Sequence, residues 1–201
     1  MPFAGKDENK KKLIQAVESI LAKEGFNGIK VNRVAKEAGV DKVLIYRYFG
    51  GLPELVAAFA KSVEFWPSLD ELLGPRPKKV NGMSAEQQFA FFFKSFLRAL
   101  RRRPMTQMIM VWWASDPRNE MAQQLDDIRM RTALEFFERL EKIPVNKDLT
   151  AAVVLLYSAI HHLIHVAQTS GFVGGIDLKS ETGWRRIEEG IELLAKGIFE
   201  G

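Results

Sequence analysis

The chain has 201 residues, 47% of them hydrophobic and 27% charged, which supplies a sizeable core and excludes a disordered chain. It has no cysteine, so disulfides and thiolate-held metals are excluded. The formal net charge of +4 lies wholly in residues 1–50, which hold 10 Lys/Arg against 6 Asp/Glu, and the rest of the chain is balanced.

A basic end on a neutral body points to a polyanionic partner. The opening MPFAGKDENKKK lacks the apolar centre of a signal peptide, and no run is expected to span a membrane. The expected location is cytoplasmic.

Helix signals dominate. From Asn9 to Glu24, apolar residues recur at Leu13, Ala16, Val17, Ile20 and Leu21, one face of a 3.6-residue period, with Gly25 as the C-terminal cap. A second helix is predicted over Val31–Ala38. A third begins after Asp41 as N-cap and ends near Phe49. Gly50-Gly51 breaks the chain, and Pro53 suits the first turn of a fourth helix running toward Phe65. Pro67 and GPRPKKVNG at 74–82 read as loop.

Ser84 and Gln87 form a capping box for a long helix with Phe89, Phe92, Phe93, Phe96, Leu97 and Leu100 on one face. Arg101-Arg102-Arg103 closes it, where cations suit the helix dipole. Pro104 starts a segment through MTQMIMVWWAS, and Asp116-Pro117 a helix to about Glu141. Residues 147–170 form an apolar helix closed by Ser170-Gly171. GFVGGIDL reads as loop, and residues 180–199 as a last amphipathic helix. The expectation is an all-α chain of about nine helices without strands: a three-helix helix-turn-helix domain over residues 1–52 and a helical effector-binding and dimerisation domain over 53–201.

Residues 34–49, VAKEAGVDKVLIYRYF, carry the constraints of the bend. Two steeply crossing helices need a small residue at their contact, which Ala35 supplies, and the turn needs a positive φ, which Gly39 supplies. Val34, Ala38, Val40, Ile45 and Tyr48 are predicted to point inward, covered by Leu13, Val17 and Ile20. Lys42, Val43, Tyr46 and Arg47 then face a DNA major groove. Lys and Arg can bond guanine or phosphate, valine can pack on a thymine methyl, and tyrosine hydroxyls can reach phosphate.

At these positions the sequence resembles the tetracycline-repressor (TetR) family of transcriptional regulators. Val34-Ala35, Ala38-Gly39-Val40, Ile45-Tyr46, Tyr48-Phe49 and Leu55 stand where that pattern has its marker residues, and the match covers roughly residues 10–60. The resemblance implies an all-α homodimer that binds double-stranded DNA and a small-molecule effector. It makes Lys42, Tyr46, Arg47 and Tyr48 the DNA-contacting set. Several residues depart from the pattern: Lys30 replaces the Thr that opens helix 2, Asp41 replaces a capping Ser, and Val43 and Leu44 replace small residues. Leu52 replaces the lysine that touches phosphate, a loss that Lys10, Lys11 and Lys12 are placed to offset.

In the C-terminal part, Phe92, Phe96, Met108, Trp112, Tyr157 and His161 are the expected lining of an apolar effector pocket. His161 and His165 share a helix face, with His162 beside them, but no third ligand accompanies them, so no metal or other cofactor is expected. Helix 147–170 and the last helix, with Trp184, Ile187, Ile191, Leu194 and Ile198, are the expected dimer surface. The resulting expectation is an effector-released repressor on a roughly palindromic operator, not an enzyme. The alternatives are a helical enzyme or metal-binding protein using His161/His165, and a helical scaffold with a basic end.

Overall fold

The computed structural model describes residues 2–62, 65–74, 80, 82–115, 123, 130–132, 134–136, 138 and 149–200. Its elements are α1 (Pro2–Glu24), a 3-10 turn (Phe26–Gly28), α2 (Val31–Ala38), α3 (Val43–Phe49), α4 (Leu52–Ala60) and α5 (Leu69–Leu73). Then follow α6 (Ala85–Arg101), α7 (Pro104–Ser115), α8 (Leu149–Gln168), β1 (Phe172–Val173), β2 (Ile176–Asp177) and α9 (Glu181–Glu200). The chain divides into two compact units, Met1–Trp66 with Met108–Met130, and Pro67–Gln107 with Arg131–Gly201.

In the first unit, α1 packs on α2, α3 and α4. Leu13, Val17, Ile20 and Leu21 of α1 are fully buried together with Val34, Ile45, Leu55 and Val56. Burying each such side chain contributes about 1.5–3 kcal/mol. Gly25 donates its N–H to the Leu21 carbonyl at 3.0 Å and closes α1 as the sequence predicts. The helix begins at Pro2 rather than Asn9, because residues 5–12, GKDENKKK, carry no apolar period to mark it. Pro53 lies in the first turn of α4, which stops at Ala60, short of Phe65.

In the second unit, the Ser84–Gln87 capping box forms in both directions, at 3.2 Å and 3.0 Å, and starts α6. The end of α6 is closed by side chains from beyond it. Gln107 Nε2 donates to the carbonyls of Leu100 (2.7 Å) and Arg101 (3.0 Å), and Arg103 Nη1 donates to Ala99 O at 3.0 Å. Ser68 accepts the Glu71 N–H and caps the short α5, a segment between Pro67 and Gly74 for which the sequence reading assigns no element.

GFVGGIDL is a β-hairpin rather than a loop. Phe172 pairs with Asp177 and Val173 with Ile176, antiparallel. Gly174 (φ 54°) and Gly175 (φ 75°) form the two-residue turn, both in the left-handed region that hairpin turns favour. The strands are two residues each, too short to show alternation, and they lie against α8 and α9.

α8 corrects a second expectation. Its 20 residues contain no Asp, Glu, Lys or Arg, so it is long and apolar enough to cross a membrane by length and composition. It also has the properties of a core helix: Val153, Leu156, Tyr157, Ile160 and Ile164 are buried, and it packs against α6 and β1. The helix expected from Asp116-Pro117 to Glu141 is described only at residues 123, 130–132, 134–136 and 138, each of them helical, and the loop at 75–79 lies outside the described residues.

Candidate nucleic-acid interface

The bend between α2 and α3 is built by backbone chemistry. Gly39 sits in the left-handed region (φ 65°, ψ 33°). Its N–H donates to Lys36 O at 3.2 Å, and the Val40 N–H donates to Ala35 O at 3.1 Å. These are the two bonds of a Schellman cap, which ends α2 and turns the chain. Ala35 is buried at the contact.

Asp41 then starts α3. Its Oδ1 accepts the Val43 N–H at 2.8 Å and its carbonyl accepts the Leu44 N–H at 3.0 Å. Gly50 (φ 98°) ends the helix, donating to Tyr46 O at 2.9 Å. Between these caps only Ile45 is fully buried. At about 100° per residue, Val43, Tyr46 and Arg47 occupy one arc on the side away from Ile45, and Lys42 precedes them at the N-cap. Val43 is 59% exposed, Tyr46 55%, and Lys42 and Arg47 are also exposed. Tyr48 lies off that arc and is half-buried, as are Ala38 and Val40, which the sequence reading had pointing inward.

The charges sort into two groups. Arg33 is held between acids, with Nη2 at 2.6 Å from Glu24 Oε1 and Nη1 at 2.8 Å from Glu37 Oε2. Ser19 Oγ donates to Glu37 at 3.0 Å. The hydrogen bond to Glu24, and then that to Glu37, raises the Arg33 pKa further. The bonds from Arg33 and then Ser19 hold the Glu37 carboxyl below its ordinary range. This brace of α1 on α2 was not anticipated, although the Arg33/Glu37 spacing on one helix is a readable signal. Lys12 is likewise paired, with Glu8 at 2.7 Å. Among the described residues, Lys42 and Arg47 have no acid partner. Leu52, half-exposed, opens α4.

Residues 13–59 match the family model for bacterial regulatory proteins of the tetR family. They form a tetR-family helix-turn-helix domain. The whole chain shares its fold with solved tetR-type regulators. The fatty acid degradation regulator FadR from Bacillus halodurans superposes with TM-score 0.67 at 16% identity, over 93% of this chain and 97% of that one. FadR from Bacillus subtilis, solved in complex with stearoyl-CoA, gives TM-score 0.66 at 16% identity, over 94% and 98%. A TetR-like transcriptional regulator from Rhodococcus sp. RHA1 gives 0.62 at 19% identity, over 98% and 97%. No curated protein matches in sequence. The all-α plan is therefore that of the tetR regulators along nearly the full chain, with the helix-turn-helix domain at its start.

The second candidate site lies beyond the tetR-family domain. Phe92, Phe96, Tyr157 and His161 come together in one aromatic cluster. Phe96 stacks on Tyr157 at 5.1 Å between centroids, Tyr157 meets His161 at 4.4 Å, and Phe92 stacks on Phe136 at 4.1 Å. Phe136 was not among the expected residues. Met108 is exposed and belongs to the other compact unit, and the Trp112 side chain lies outside the described residues. His162 is exposed and His165 half-buried. Among the described residues no group of three or more His, Asp or Glu is placed to hold a metal.

Proposed function

We propose that this chain is an effector-responsive repressor that binds a roughly palindromic operator as a homodimer and is released by a small, largely apolar ligand. In this reading residues 1–52 bind DNA, residues 53–201 bind effector and partner, and the protein acts in the cytoplasm without enzymatic activity. The observation that carries it is the α3 face: two cations free of acid partners among the described residues, a valine and a tyrosine, presented outward from a helix fixed by Ile45. Lys42, Val43, Tyr46 and Arg47 make base-edge and phosphate contacts. Tyr48, half-buried, contributes its hydroxyl at the margin.

Dimerisation has its own support. The face of α8 opposite its core side exposes Val154 and Leu155 (71%), and α9 exposes Leu193 (72%) and Leu194. Apolar side chains clustered at such exposure are what an isologous interface covers. The effector reading rests on the Phe92, Phe96, Tyr157 and His161 cluster and on the fold shared with a regulator solved with stearoyl-CoA.

Selection from a randomised duplex library at moderate salt tests the reading. An enriched palindrome with half-sites about one DNA turn apart is expected. Failure to enrich any sequence with effector-free protein, its purity checked by mass spectrometry after denaturation, would overturn it.

A further inference from the structure

The second compact unit contains a cleft of about 310 Å³ where the C-terminal ends of α6 and α8 meet the hairpin exit and the first turn of α9. Its wall includes Arg101, Gln107, Gln168, Leu178, Lys179 and Trp184, and no carboxylate belongs to the lining. We propose that this cleft binds a small organic carboxylate, its apolar body on Leu178 and the Trp184 indole and its charge between Lys179 and Arg101.

The cations are held in place by identifiable contacts. The backbone N–H of Lys179 donates to Asp177 Oδ1 at 2.9 Å and fixes where its side chain leaves the chain. Its stem lies against Gly171 (φ +76°), so closely that a Cβ on residue 171 would stand 2.5 Å from Lys179 Cε. A glycine at 171 thus leaves room for the lysine to lie along the cleft wall. Among the described residues the Lys179 ammonium has no acid partner.

Arg101 lies over the Trp184 ring, 4.7 Å from its centroid, and pairs with Glu181. Glu181 is mostly exposed, and an exposed pair is screened and weak. The guanidinium has five donors, so it can accept a second anion while keeping the first.

The amides are fixed rather than adaptable. Gln107, 5% exposed, donates its N–H groups to the end of α6, and its Oε1 accepts from Gln168 Nε2. Gln168 therefore retains one N–H and its carbonyl for a ligand. The cleft's positive rim favours an anion over a neutral molecule, and the edges that the mostly buried Leu178 and Trp184 leave at its base favour an organic anion over a compact inorganic one. The volume is at the small end of ligand pockets, which suits a molecule of one substituted ring. None of this depends on operator binding.

Calorimetric titration of the full-length protein with benzoate, at constant ionic strength, is the test. Benzyl alcohol serves as the neutral match and inorganic phosphate as the compact anion. Saturable benzoate binding is expected, at least about tenfold tighter than either control. Lys179→Gln should weaken it at least about tenfold, while Lys179→Arg stays near wild type and both variants keep the wild-type melting temperature. Three results would overturn the proposal: no saturation at millimolar benzoate, equal affinity in Lys179→Gln, or phosphate binding as tightly as benzoate.

Discussion

The Asp41 carboxylate accepts the Val43 N–H at 2.8 Å, so a negative charge starts the helix whose exposed face carries Lys42 and Arg47. The cap and the charge have opposite consequences. Asp41→Ala removes both and should cost about 1 kcal/mol in chemical denaturation. Asp41→Asn keeps a capping oxygen and removes the charge. It should leave stability within a few tenths of a kcal/mol while tightening DNA binding at low salt, as measured by fluorescence anisotropy.

Arg47→Ala should lose about 1–3 kcal/mol of operator affinity, enough to erase discrimination against random duplex, with no change in melting temperature. The side chain is exposed and makes no contact that folding needs. Unaltered affinity for a selected operator would remove Arg47 from the contact set.

Gly39→Ala isolates backbone strain from crowding. A Cβ there meets nothing within 4 Å, yet φ is +65°. The expected loss is about 1–2 kcal/mol, read from urea unfolding. Asn, which tolerates the left-handed region better, should lose less.

Leu52→Lys should restore a phosphate contact at the start of α4. The slope of log affinity against log salt should steepen by about 0.9. An unchanged slope would mean that α4 does not approach the duplex backbone.

Arg98 binds Glu188 with two hydrogen bonds, one of them 2.7 Å from Nε to Oε1, and ties α6 to α9. The bond from Arg98 holds the Glu188 carboxyl below its ordinary range. A depressed carboxylate contributes stability above its unfolded pKa of about 4.3 and loses it as pH falls through the folded value. Wild type and Glu188→Gln should therefore differ at pH 7 and converge in acid. The gap should be under about 1 kcal/mol, since the pair is partly exposed and screened.

Local chemistry made much of this fold legible. The Ser84–Gln87 box, Gly39, Gly50 and the buried stripe of α1 are all specified within a few residues, and each forms as the sequence predicts. The hairpin had a readable signal, two glycines between Phe172-Val173 and Ile176-Asp177, but four strand residues are too few to outweigh a helical context. α5 is one turn held by Ser68 and by packing against α6; Ser68-x-x-Glu71 is a readable start signal, but five residues are too few to show a helical period. The exposed face of α3 could be named because a short amphipathic helix has only one outward arc. The aromatic cluster could be named only in part. Helical spacing joined Phe92 to Phe96 and Tyr157 to His161, but which residue meets them across the core, Phe136, is decided by tertiary packing.

Within α3, one buried isoleucine anchors the helix, and the side chains on the opposite arc support nothing beneath them. In the proposed function, folding and target choice are therefore written in different letters of the same seven-residue word. Substitutions at Val43, Tyr46 or Arg47 can accumulate without passing through an unstable ancestor. A lineage carrying this domain is free to follow a drifting operator, or to acquire a new one, while its scaffold stays as it is.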